Sequence, residues 1–277
     1  MNPLVLTYHS HNIAGNEYGN NDLVTLYHDL RTLHQCGKKI IPLQTLVAWL
    51  DGEVTDDRVS HSIGLSFDDA PNLDFQDLSF PPHGQQRSGF NLLRDFQAEY
   101  GRNAQPELHA TSFAIASPQA RQQLDATCLF AQRWLTDDWW HEAQHSGLWS
   151  IQNHSWDHNH PAVSPVLQKA QSKGDFSQID TFEECQAQVV HSADYIADKT
   201  GVRPTLFAYP YGQASAYLRT VYFPDYYSKH GCRAAFGITP AAITRQSPRW
   251  DLPRFVCGLH WNTPEQFLEL LSTHSRP

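Results

Sequence analysis

The sequence predicts an α/β fold, with a mostly parallel sheet curled into a distorted, incomplete or nearly closed (β/α) barrel. Three observations predict it. Short β-rich runs alternate with helical periodicity along the whole chain. About eight such runs occur, the number that suits a barrel. The 277 residues, 40 % hydrophobic and 12 % aromatic, bury a core of the size that single barrel domains have. One domain over residues 1–277 is therefore expected.

The elements follow in order. Leu4–Tyr8 reads as a short apolar strand. Asp22 is expected to cap a helix that turns Leu23, Leu26, Tyr27, Leu30 and Leu33 to one face and ends at Gly37. Residues 40–43 read as strand and 46–50 as a short helix. Residues 62–67 form a strand that runs into Asp68-Asp69. The stretch 70–89, rich in Pro, Asp, Gln and Gly, reads as a long irregular loop. A helix over 90–100, a strand over 110–116, a helix over 135–145 and a strand over 148–154 come next. The longest helix is expected over 182–199, with Cys185, Val189, Ala193 and Ile196 inward and Gly201 past its end. Strands over 205–209, 234–238 and 252–257 follow. Thr263-Pro264-Glu265-Gln266 opens the final helix with a capping-box spacing.

Charge and composition exclude several classes. The net charge is −9 and no basic block occurs, so there is no footprint for nucleic acid. Apolar runs are too short to span a membrane. The start, MNPLVLTYH, lacks the pattern of a secretory signal, so a cytoplasmic location is expected. The five cysteines, Cys36, Cys128, Cys185, Cys232 and Cys257, are widely spaced, which suggests buried free thiols. Histidine is frequent, at 16 residues, which points to metal or acid–base chemistry.

Four constellations can carry that chemistry. Asp68 and Asp69 close a strand, where successive side chains diverge. One can hold a metal while its neighbour works as a base, although an isolated pair is more often a cap or turn. His154 and His158 stand four residues apart after another strand, close enough to share an ion if the segment is helical or tightly turned. A solvated His-rich loop has the same composition. With one carboxylate they make three ligands and leave a position open. Neutral imidazole favours Zn, Co or Ni over Mg. Tyr209-Pro210-Tyr211-Gly212 forms a tight turn whose backbone N–H groups can face a ligand, and Arg254 opens a late strand, a place where Arg is normally on the surface.

In this order and spacing, the pieces resemble the polysaccharide deacetylases, the NodB-like enzymes of carbohydrate esterase family 4. Ser66-Phe67-Asp68-Asp69-Ala70 is similar to the family's TFDDG, and His154-Ser155-Trp156-Asp157-His158 meets its H-S/T-x-x-H. Tyr209-Pro210-Tyr211-Gly212 matches the end of R-x-P-Y-G, and residues 110–113, ATSF, resemble its ATFF strand. The resemblance covers residues 4–238. It implies that Asp68 is the general base and that Asp69, His154 and His158 hold a divalent metal, with Zn as first choice. That metal would lower the pKa of water and polarise an acetamide carbonyl. The backbone N–H of Tyr211 would face the oxyanion.

Two departures stand out. Ala208 occupies the place of the family's Arg, and Arg254 is the substitute expected to orient Asp68. The family's late Leu-x-His motif is not clear. Tyr8-His9 is similar instead to the start of the permuted subgroup acting on poly-β-1,6-N-acetylglucosamine. His9 is thus expected as the general acid, with His260 as runner-up. Asp74, Asp77 and His83 line the cleft or are solvated turn residues. Trp156 stacks on a sugar or packs in the core, and Trp139-Trp140 is expected to pack a helix.

The expected activity is metal-dependent removal of N-acetyl groups from an amino sugar or N-acetylated saccharide, releasing acetate. The alternatives are hydrolysis of a small non-sugar amide or formamide, and a catalytically inactive glycan-binding barrel.

Overall fold

The computed structural model describes residues 2–129, 131–163 and 173–274. Its strands are β1 (Leu4–Tyr8), β2 (Lys39–Ile40), β3 (Ser62–Asp69), β4 (Leu78–Phe80), β5 (Gly84–Gln86), β6 (Ala110–Ala114), β7 (Trp149–Asn153), β8 (Leu206–Ala208), β9 (Ala234–Phe236) and β10 (Phe255–Val256). The main sheet runs β10-β1-β3-β6-β7-β8-β9, with β2 added to β3. Every pairing in it is parallel. One bridge, Phe236 with Leu252, joins β9 to the segment entering β10. Leu252 N–H donates to Ala235 O at 2.8 Å, and Gly237 N–H to Leu252 O at 2.9 Å. The sheet thus curls round as a distorted barrel with a thin seam, as the alternation of strand and helix predicts.

The reason for the curl lies in the strands. β1, β6, β7, β8 and β9 are buried at every position, so both of their faces are covered. Because the strands are parallel, their carboxyl ends share one rim. Asp69, Asn153 and the residues just after Tyr8 and Ala208 therefore fall together.

Several boundaries differ from the sequence reading. The first helix, Asp22–Gln35, is capped by Asn21, whose side chain accepts from Leu23 and Val24 N–H; Asp22 instead accepts from His9 N–H at 2.7 Å. Tyr27 lies outside its buried face. Leu43 starts the helix Leu43–Leu50, which leaves β2 two residues long. Residues 135–139 precede a helix that covers only Trp140–His145. The helix expected over 182–199 is continuous but carries a π-helical turn, Gln186–His191, between Phe182–Cys185 and Ser192–Thr200. The irregular stretch at 70–89 contains a 3-10 turn, Asn72–Asp74, and the antiparallel hairpin of β4 and β5. The helix Pro118–Cys128, the turns between Leu218 and His230, the short helix Asp56–Val59 and the 3-10 turns Arg102–Ala104 and Phe176–Gln178 escaped the sequence reading. Cys185, Cys232 and Cys257 are buried free thiols, whereas Cys36 and Cys128 are exposed. No helix among the described residues is long and apolar enough to cross a membrane.

Candidate active site

β3 delivers the two adjacent carboxylates in different directions. Asp68 points inward and is buried, with Oδ1 and Oδ2 accepting from Arg254 Nη1 and Nη2 at 2.7 and 2.9 Å. Arg254 is itself fully buried, donates through Nε to Gly237 O at 2.9 Å, and lies over the Phe113 ring. Burial alone would raise the Asp68 pKa, but the Arg254 guanidinium, together with His154 and His9, outweighs it and holds the carboxyl below its usual value. Asp68 is thus an ionised, oriented carboxylate.

The backbone then turns left-handed, with φ of 74° at Asp69 and 52° at Ala70. That kink swings Asp69 toward the β7 end. Its Oδ1 lies 3.6 Å from His154 Nε2 and 3.5 Å from His158 Nε2. One ligand atom from each of the three falls within 4.8 Å of the others. The two histidines meet through a tight turn rather than a helix, because Ser155, His158 and Asn159 all have positive φ. Asn153 Oδ1 accepts from Ser155 N–H, and Ser155 Oγ accepts from His158 N–H. Among the described residues, six of the nine positive-φ residues other than glycine lie in these loops and at Tyr211. Such strain persists where surrounding bonds hold it.

The donor set fits a divalent metal. His154 Nδ1 lies 2.9 Å from the Ala208 carbonyl, so it donates there and leaves Nε2 facing the space that Asp69 and His158 share. Burial pushes the His158 pKa down to about 3, so this imidazole is neutral as a ligand must be. Two neutral nitrogens and one carboxylate oxygen match Zn, Co or Ni, and three protein ligands leave a position open.

The three residues line a cavity of about 320 Å³, together with Asp68, His9 and Tyr211. His9 has a buried Nδ1 without a partner. Tyr211 has φ 58° and sets its ring against His158 at 4.4 Å. Thus the cavity joins every site residue expected from sequence except Arg254, which stands behind Asp68. His260 is not among the residues that line it; its Nδ1 accepts from Val256 N–H at 2.8 Å.

Two cavity histidines escaped the sequence reading. His11 Nε2 lies 3.8 Å from Asp69 Oδ2, and its Nδ1 is buried without a partner. His160 also lines the wall. The signal for His11 was its place two residues after His9, in the turn that follows β1. Asp74 is neither solvated nor in the cleft; it is buried and accepts from Ser10 Oγ at 2.6 Å and Ser112 Oγ at 2.5 Å. Asp77 accepts from Ser88 N–H and pairs with Arg87, and His83 packs on Phe80. Trp156 packs edge-on against His191 and Tyr195, and Trp139 and Trp140 are core residues.

The sequence model of the polysaccharide deacetylase family matches residues 103–234, which include His154, His158 and Tyr211. No curated protein matches the chain in sequence. Among solved structures, the chain is similar to the Streptococcus pyogenes deacetylase PplD in complex with acetate, with TM-score 0.64 and 15% identity, covering 100% of this chain and 99% of that one. It is similar to IcaB from Ammonifex degensii, with TM-score 0.62 and 17% identity over 99% and 97% of the two chains. A polysaccharide deacetylase from Bacillus cereus gives TM-score 0.62 and 17% identity, over 98% of this chain and 69% of the other. At these identities the likeness establishes the fold.

Proposed function

We propose that this chain, which carries a polysaccharide deacetylase domain over residues 103–234, hydrolyses the N-acetyl group of an amino sugar and releases acetate. The observation that carries the reading is the convergence of Asp69, His154 and His158 beside the Asp68–Arg254 pair in one cavity.

Asp69, His154 and His158 would hold a divalent metal, with Zn the first choice and Co or Ni next. When bound, that ion supplies a lowered pKa for water and polarisation of the acetamide carbonyl. Asp68 takes the proton of the attacking water, since its carboxylate is ionised and aimed. Arg254 positions Asp68 and does not touch substrate. The Tyr211 N–H stabilises the oxyanion from a turn whose positive φ is already fixed. His9 donates the proton that the departing amine needs. Water is consumed, the C–N bond breaks, and the amine and acetate leave.

The test is acetate release from a panel of N-acetylated mono- and oligosaccharides. Metal-stripped protein would receive Zn, Co or Ni, with Asp68→Ala and Asp69→Ala as controls. Metal-dependent acetate that vanishes in Asp68→Ala, with metal content lost in Asp69→Ala, is the expected result. A bound ion without acetate from any sugar would point to a non-sugar amide. Neither ion nor acetate would leave a glycan-binding barrel.

A further inference from the structure

One side of the cavity is aliphatic, which the acetamido group alone does not call for. Beyond Asp68, Asp69, Tyr211 and the histidines, its lining among the described residues is aliphatic, with Cys128 and Gly212. Ile115, Leu124, Leu129 and Leu135 come from the segment after β6, the strand that stands between β3 and β7. Val256 and Leu259 come from the β10 end. No Asn, Gln, Ser, Thr, Lys, Arg or Trp is among the described residues that line it. Sugar hydroxyls moved out of water need hydrogen-bond partners, and this aliphatic side of the cavity supplies none, in contrast to the histidine and carboxylate side. Alkyl groups need only apolar area.

We propose that the acetamido sugar taken by this site carries an alkyl or prenyl-like aglycone, and that this chain lodges against Ile115, Leu124, Leu129 and Leu135 beneath the rim residue Leu259. The inference rests on the deacetylase reading above and names its substrate class, an amphiphilic N-acetylated glycoside. The cavity, about 320 Å³, is at the small end for such ligands. It holds the acetamido group and the first part of the chain, while the sugar hydroxyls face the mouth. Leu259 lines the cavity while 63% exposed, so it stands at the rim.

The experiment uses alkyl N-acetylglucosaminides from methyl to octyl, kept below micelle formation. It measures kcat/KM for acetate release from the metal-loaded protein and, in parallel, affinity by calorimetry. The expected result is a rise in kcat/KM of about three- to fourfold per methylene until the wall is filled. Leu259→Ser, a rim change that leaves the buried core alone, is expected to reduce the gain per methylene. A flat or falling series with acetate still released overturns the amphiphile and leaves the deacetylase intact. Loss of acetate from every member removes the deacetylase, and calorimetry then decides. Affinity that rises with chain length keeps the apolar subsite, and affinity that does not rise overturns it.

Discussion

Asp68 keeps its charge away from bulk water because both of its oxygens are matched to one guanidinium. Neither partner is cheap to leave alone. Arg254→Met is expected to lower unfolding free energy by about 3–5 kcal/mol, because it strands a buried carboxylate. Arg254→Met with Asp68→Asn should recover most of that loss in urea denaturation, since no charge then remains buried. Equal losses in the single and double variants would show that packing, not charge, is what Arg254 supplies. Asp74 offers a separate test. Burial holds its carboxyl up at about 8, against the usual 3.8. The folded chain therefore keeps a proton that the unfolded chain sheds. Below pH 3.8 the contribution is fully present; it is lost as pH rises toward about 8, then levels off. Asp74→Asn is expected to flatten the fall of melting temperature across that window. The carboxylates and histidines of the metal set were legible because adjacency and spacing are local. Asp74 was not, because its burial depends on Ser10 and Ser112, which are far from it in sequence.

The π-helical turn is the element that braces the histidine loop. Gln188 Oε1 accepts from Trp156 and Asp157 N–H, and Nε2 donates to Asp157 Oδ1 at 2.8 Å. Val189 O accepts from Asn153 Nδ2, and Ser192 Oγ donates to Asn153 Oδ1 and Ser155 O. Gln188→Ala leaves buried N–H groups unpaired, so a loss of about 1–3 kcal/mol is expected in denaturation. Metal affinity should fall about 10- to 100-fold, read by chelator competition, because the loop holding His154 and His158 loosens. Apolar periodicity located this helix, with Cys185, Val189, Ala193 and Ile196 all buried. It could not register the π turn, which hardly disturbs the apolar pattern. The helix Pro118–Cys128 escaped for the opposite reason: Ser117 caps it and Pro118 opens it, yet its sequence is largely polar. The β4–β5 hairpin escaped because its turn is Pro81-Pro82-His83, without a two-residue glycine turn.

At the scale of the molecule, the parallel barrel was legible because strand and helix alternate, but its closure was not. Closure depends on where the chain after β9 returns, and Leu252 meets Phe236 only through tertiary packing. The C-terminal segment completes the side next to β1. Trp261 Nε1 donates to Asp29 Oδ2 at 3.0 Å, and Tyr8 and Tyr18 donate to the same carboxylate. Its ring meets Tyr8 edge-on at 5.6 Å. Trp261→Ala is expected to cost about 3–5 kcal/mol, read as a lower urea midpoint.

The seam between β9 and β10 is a latch as well as a gap. Arg254 reaches from the seam segment to Gly237 O just past β9 and to Asp68 on β3, so one side chain fastens three strands at their thinnest join. Breathing of the barrel and readiness of the base are then one motion. In hydrogen–deuterium exchange, the amides of Gly237 and Leu252 should open by a local event well below global unfolding. Releasing the latch with Arg254→Met should speed those two amides, while amides in the β3–β6 ladder, held by a full row of pairs, keep their protection.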